Sequence, residues 1–111
     1  MAWLARGDRV VASLEIARAR PERRRGLLGR SDVEGALLIE QCRWVHTVGM
    51  RFEIDVAYLD AHRCVIDIVT MPRGRVGLPR WSARSVIEAR SGAFERWGVA
   101  VGNVLDVRLD A

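Results

Sequence analysis

The chain has 111 residues, half of them apolar and 29% charged, with 18 basic against 14 acidic side chains and a formal net charge of +4. Surface scaling gives about 6,000 Å² for the folded chain and about 18,000 Å² for the unfolded one, so one ordinary core suffices without a metal or disulfide staple. Three prolines and two cysteines exclude disordered, collagen-like and disulfide-scaffold classes. A single domain over residues 1–111 is expected.

All 18 basic residues are arginine, a bias that a GC-rich genome can produce by itself. The pI near 10.4 reflects arginine's high pKa as much as any affinity for phosphate. Arg6, Asp8, Arg9 and Glu15 interrupt the first fifteen residues and leave no apolar h-region, so no secretory signal is read there. Apolar runs such as Ala36 to Ile39 fall far short of the roughly 20 residues that cross a bilayer. Cys42 and Cys64 read as free thiols. The expectation is a cytoplasmic chain without membrane contact, a monomer or weak homodimer.

In chain order, residues 10 to 17 place Ala12, Leu14 and Ile16 on one side and Ser13 and Glu15 on the other, the period of a half-buried strand. Pro21 opens PERRRGLLGR, where proline suits a first helical turn and Gly26 and Gly29 limit its length. Ala36 to Glu40 reads as a short apolar strand, followed by an irregular segment, QCRWVHTVGMRFE, bent at Gly49. Ile54 to Leu59 and Cys64 to Val69 flank a short polar link and read as a β-hairpin. Met71 to Ser82 is a long proline- and glycine-rich surface loop. Ser85 to Arg90 is a further strand, Ala93 to Trp97 one helical turn between glycines, and Val104 to Leu109 a closing strand. The fold class is mainly β (α+β): a small curled antiparallel sheet or barrel of about six strands with one or two short helices.

Three segments, ARPERRRGLLGR, VHTVGMRFEIDVAYLD and SARSVIEARSGAFERWGVAVGNVLDV, carry in their order and spacing a resemblance to the bacterial and archaeal family called domain of unknown function 192. The chain resembles the branch with a histidine-threonine pair, here His46 and Thr47. It departs from the common pattern at Glu53, where relatives often have proline, and at Asn103, where they often have aspartate. The resemblance implies a compact, mainly β fold with a short helix and implies no reaction.

His46 heads the candidate site residues, because an imidazole serves near neutral pH as base, anion-binding cation or metal ligand. Thr47 adds a hydroxyl, Arg51 positive charge and Asp55 an orienting carboxylate if the chain turns back at Gly49. Arg80 and Trp81, at the end of the long loop, complete the set as cation and exposed aromatic. A structural histidine bonded to backbone carbonyls is the competing reading of His46.

Cys42, His46, His62 and Cys64 make the donor set for tetrahedral zinc, but the spacing is only partly right; a buried cysteine and a turn histidine account for the second pair. No metal or cofactor is expected. A nucleophile such as Cys42 or Ser82 with His46 as base and Asp55 as orienter lacks any flanking signature. Asp55, Asp67 and Glu88 sit on strands, where solvent-facing or paired charges are the ordinary outcome.

Two arginine clusters, Arg18 to Arg30 around Glu22 and Arg73 to Arg84 in the loop, can meet phosphate but read first as solvated faces. Trp81 beside Arg80 is the best candidate for stacking on a base, while Trp97 reads as core. The function read from these residues is a binding or accessory module for an anionic small ligand or a partner protein, with its site between the His46 segment and the Met71 to Ser82 loop. The alternatives are a hydrolase-like enzyme using His46 and Asp55 and, third, nucleic-acid binding through the arginine clusters.

Overall fold

The computed structural model describes residues 1–110 and shows seven strands in one mixed sheet with two short helices. The strands are β1 (Ala2–Arg6), β2 (Arg9–Ala17), β3 (Ala36–Glu40), β4 (Ile54–Leu59), β5 (Val65–Met71), β6 (Ser85–Arg90) and β7 (Asp106–Leu109). The helices are α1 (Arg20–Arg25), between β2 and β3, and α2 (Ala93–Trp97), after β6. Spatial order is β5-β4-β6-β3-β2-β1-β7. No helix among the described residues is long and apolar enough to cross a membrane.

The central strands explain their own sequences. β3, β4 and β6 are covered on both faces, so ALLIE, IDVAYL and SVIEAR are nearly continuous buried runs rather than alternating ones. One face of the sheet buries Leu4, Leu38, Ala57, Leu59 and Ile87 under Phe94 of α2 and Leu105. The other buries Leu37, Ile39, Ile54, Val56, Tyr58 and Val86 under Leu27, Val45 and Met50. Phe94 and Trp97 meet edge to face across α2, which fastens that helix to the first core layer.

The expected antiparallel sheet needs correction at one pair. β2 and β3 run parallel, with Leu14 opposite Ala36 and Ala17 opposite Ile39, because the α1 segment carries the chain over the sheet face before it re-enters. Gly35 permits that re-entry. Its φ is +72°, and a Cβ there would lie 2.3 Å from Ser13 Oγ and 2.4 Å from Ser13 O, so backbone of the crossover presses directly on β2.

The count also rises from about six to seven. β1 pairs with β2 across the Gly7-Asp8 turn, and β7 adds to the other side of β1. Val104 and Leu105, expected within the last strand, instead reach the start of β5 together with Asn103: Val65 N donates to Asn103 O at 2.8 Å, Leu105 N donates to Arg63 O at 3.0 Å, and Cys64 and Val104 form an isolated bridge. The sheet is therefore curled but not closed by a continuous ladder. Leu109 at the β7 edge is exposed, so the two-sided pattern expected of that strand holds at Leu105 and weakens toward its end.

Candidate functional site

Glu88 sits in the middle of an apolar layer. It lies on β6 between its cross-strand neighbours Leu37 on β3 and Val56 on β4, with Leu27 packed in the same layer. The residue is 5% exposed. The Leu27 amide bonds its carboxylate, yet Glu88 Oε1 has no hydrogen-bond partner in the protein, and burial pushes its pKa up to about 7. A carboxyl placed this way costs folding free energy, so its chemistry rather than its packing must account for it.

Above Glu88 is a cavity of about 450 Å³, open to solvent, between α1 with its following turn and the segment from Cys42 to Met50. Arg23, Arg24 and Arg25 give it a cationic rim, and Leu27, Leu28, Trp44 and Met50 an apolar wall. Among the described residues, four buried side-chain polar atoms lack a partner: Arg23 Nε, His46 Nδ1, Tyr58 OH and Glu88 Oε1. Three of those four residues, Arg23, His46 and Glu88, line this one cavity. Arg23 is steadied from outside, where its Nη1 donates to Gln41 Oε1 at 3.0 Å. His46 tilts against Trp44 with ring centroids 5.5 Å apart, and Trp44 Nε1 donates to Gly77 O at 2.7 Å.

Cys42 also lines the cavity, with its Sγ bonded to Trp44 O at 3.2 Å. Burial, and then the nearby Glu88 charge, raise the Cys42 pKa above the ordinary thiol range, which keeps it a thiol rather than a nucleophilic thiolate. Among the described residues, no group of three or more His, Cys, Asp and Glu side chains could hold a metal ion. His62 and Cys64 belong to the β4–β5 turn, where their amides bond Asp60 Oδ1 at 2.8 and 3.0 Å.

Of the six residues read from sequence as the binding site, the structure brings His46 to the cavity and disperses the other five. Asp55 does not orient His46. Strand alternation turns Asp55 to the opposite face of β4 from Ile54, Val56 and Tyr58, where it accepts from Thr70 Oγ1 at 2.7 Å and from the Gly92 amide at 2.8 Å. Thr47 is fully buried; its hydroxyl donates to Pro72 O at 2.6 Å and accepts from Arg75 N at 2.9 Å, latching the start of the long loop.

Arg80 donates to Asp67 from Nε and Nη2 at 3.1 and 2.9 Å and lies over the Tyr58 ring, 4.4 Å from its centroid. Arg51 and Trp81 are exposed, and neither side chain has a hydrogen-bond partner among the described residues. The cavity is thus bounded by α1 rather than by the Met71 to Ser82 loop. Glu88, expected to face solvent or pair with a charge, and Arg23, expected on a solvated face, are the residues that sequence reasoning missed. The available signal was one acid inside the apolar strand SVIEAR.

The profile of DUF192, described as Uncharacterized ACR, matches residues 2–107. A UPF0127 protein of Thermococcus gammatolerans is 36% identical over 98 residues, covering 83% of this chain and 64% of that protein. A UPF0127 protein of Pyrococcus furiosus is 32% identical over 62 residues, covering 56% of this chain and 53% of that protein. The matches therefore span less than two-thirds of these archaeal relatives' own lengths.

Two solved structures share the fold. A protein of unknown function from Novosphingobium aromaticivorans superposes with a TM-score of 0.79 at 18% identity, covering 95% of this chain and 82% of that one. A chain proposed to be a transcription regulator, from Sinorhizobium meliloti, gives 0.78 at 17% identity, covering 96% and 91%. At these identities the likeness concerns architecture alone. With its sequence matched from residue 2 to residue 107, the chain belongs to the DUF192 family of uncharacterised proteins.

Proposed function

We propose that this domain is a binding module whose cavity beneath α1 takes a small anionic ligand. One observation carries the reading: three of the four unpartnered buried polar atoms belong to residues lining a single cavity with a cationic rim. Buried polar groups are ordinarily satisfied, and leaving one unpaired costs about 1–3 kcal/mol. A ligand that pairs several at once recovers that cost on binding. The cavity's volume, about 450 Å³, falls in the range of small-molecule sites. Free thiols at Cys42 and Cys64 fit a reducing, cytoplasmic setting for such a module.

The hydrolase reading has less support. Asp55 faces the other side of the sheet, and the thiol nearest His46 in sequence is held protonated. Titration of labelled protein with inorganic phosphate and with acetate tests the binding reading. The expected result is amide shifts confined to Arg23, Leu27, Cys42 and His46, and loss of about tenfold or more in affinity in Arg23→Ala. Shifts scattered over the surface arginines and unchanged in Arg23→Ala would sink it.

A second reading, as a docking surface for an acidic partner protein, is favoured by a separate observation. Val76, Leu78 and Trp81 are exposed at 66%, 77% and 74%, and the segment from Pro72 to Arg84, between β5 and β6, carries Arg73, Arg75, Arg80 and Arg84 with no acidic residue. Pull-down with Trp81→Ala as the control tests it; equal recovery by both proteins argues against that surface.

A further inference from the structure

The cavity has chemically opposite ends. Arg23 Nε supplies a buried donor on a permanent cation beside the Arg24 and Arg25 rim, while Glu88 Oε1 supplies a buried acceptor at the floor. No ion pair joins Arg23 to Glu88 among the described residues, although both line the same space. An anion alone satisfies the first end and leaves the second bare.

Resting on the reading of this cavity as a ligand site, we propose that its ligand carries two recognition groups, an anion for Arg23 and a nitrogen-bound hydrogen-bond donor, an amine or amide, for Glu88. The class is an amino- or amido-substituted carboxylate or phosphate with a short apolar body.

The surrounding residues support this division. Leu37, Val56 and Leu27 around Glu88 offer the donor end no competing acceptor, and the Leu27 amide, itself a donor, already engages the carboxylate from one side. A group that completes the ionised Glu88 carboxylate therefore donates rather than accepts. Leu28, Trp44 and Met50 line the same cavity and give the body of such a ligand an apolar surface. His46 Nδ1 gives a further polar point on the wall, able to meet a carbonyl or hydroxyl of the same molecule. An ammonium beside the Glu88 carboxyl favours its charged form, so binding of a cationic donor draws the proton off Glu88.

Paired probes test the inference on the full chain: glycine, β-alanine and γ-aminobutyrate against acetate, propionate and butyrate, with putrescine as the donor lacking an anion. The expected result is that at least one amino acid binds about tenfold or more tightly than its unsubstituted partner, that Glu88→Gln removes this preference while keeping affinity for the plain acid, and that putrescine binds neither protein. Carbon NMR of the Glu88 carboxyl supplies a second readout, moving to the ionised position on saturation with the amino compound. Equal affinity within each pair, at a site still sensitive to Arg23→Ala, overturns this proposal and leaves the binding reading standing. No binding by any member of either series overturns both.

Discussion

Gly26 stands directly against Glu88: a Cβ built on the glycine would lie 3.0 Å from Glu88 Oε1. The two come from distant parts of the chain, one just after α1 and the other on β6. Gly26 also holds φ +50° with ψ −127°, a conformation that a side chain makes costly. The missing side chain leaves the carboxyl oxygen facing open space rather than packed atoms.

Replacing it is therefore expected to act twice. Gly26→Ala should lower stability by about 1–3 kcal/mol from backbone strain and the short contact, and should weaken ligand binding more than Gly29→Ala does. Chemical denaturation read beside the ligand titration checks this. A variant as stable as the parent would mean the turn can relax away from β6.

Stability should fall as the pH rises from about 4.5 to about 7. Glu88 ionises near 4.5 when unfolded and near 7 in the fold. Between those values the folded chain keeps a proton that the unfolded chain has lost, so the benefit is whole below 4.5 and fades as pH rises through about 7. The gap corresponds to about 3 kcal/mol. Arg23, Cys42 and His46 share the cavity with this carboxyl, and Tyr58 senses its charge from the neighbouring strand. In Glu88→Gln the decline between about pH 5 and about pH 8 should flatten. A mutant with the parent's slope would assign the titration to another group.

Asp55→Asn should destabilise by about 1–3 kcal/mol, because the carboxylate both accepts from Thr70 and fixes the Gly92 amide ahead of α2. The His46 ring resonances, followed by NMR at one pH, should stay in place. Displaced resonances would restore a His46–Asp55 link that the sheet geometry denies.

Thr47→Val keeps the shape of the side chain and removes its hydroxyl, leaving the Arg75 amide and Pro72 carbonyl without that partner. The loss is expected to be about 1–3 kcal/mol. Faster hydrogen exchange at Gly74 and Arg75, with the strands unaffected, is the local signature to measure. Arg80→Ala, by contrast, removes a partly exposed pair with Asp67 and a cation over Tyr58. It should cost about 1 kcal/mol and leave ligand affinity unchanged.

Much of the fold was legible because its signals are local. β3, β4 and β6 carry apolar or alternating runs between polar links, and they fall where the pattern places them. AWLAR is too short to carry a strand pattern of its own, although the Gly-Asp pair after it is a hairpin signal. The parallel pairing of β2 with β3 has no local signature; it follows from where α1 lays the chain across the sheet. The site was less legible for a similar reason. His46 was visible as an unusual residue, but the face that Glu88 or Asp55 takes depends on strand parity and on both faces being covered. Arg23 reads as one of many solvated arginines, and only the cavity it lines together with Ile39 of β3 and Glu88 of β6 distinguishes it.

The crossover has a kinetic consequence as well. The cavity floor exists only after β3 has entered between β2 and β6, pairings whose partners lie far apart in the chain. Such non-local assembly folds on a timescale of roughly milliseconds to seconds. No nascent chain shorter than β6 can hold ligand, and the transition state, if it forms before α1 closes, holds none either. Ligand should then slow unfolding and leave the refolding rate nearly untouched.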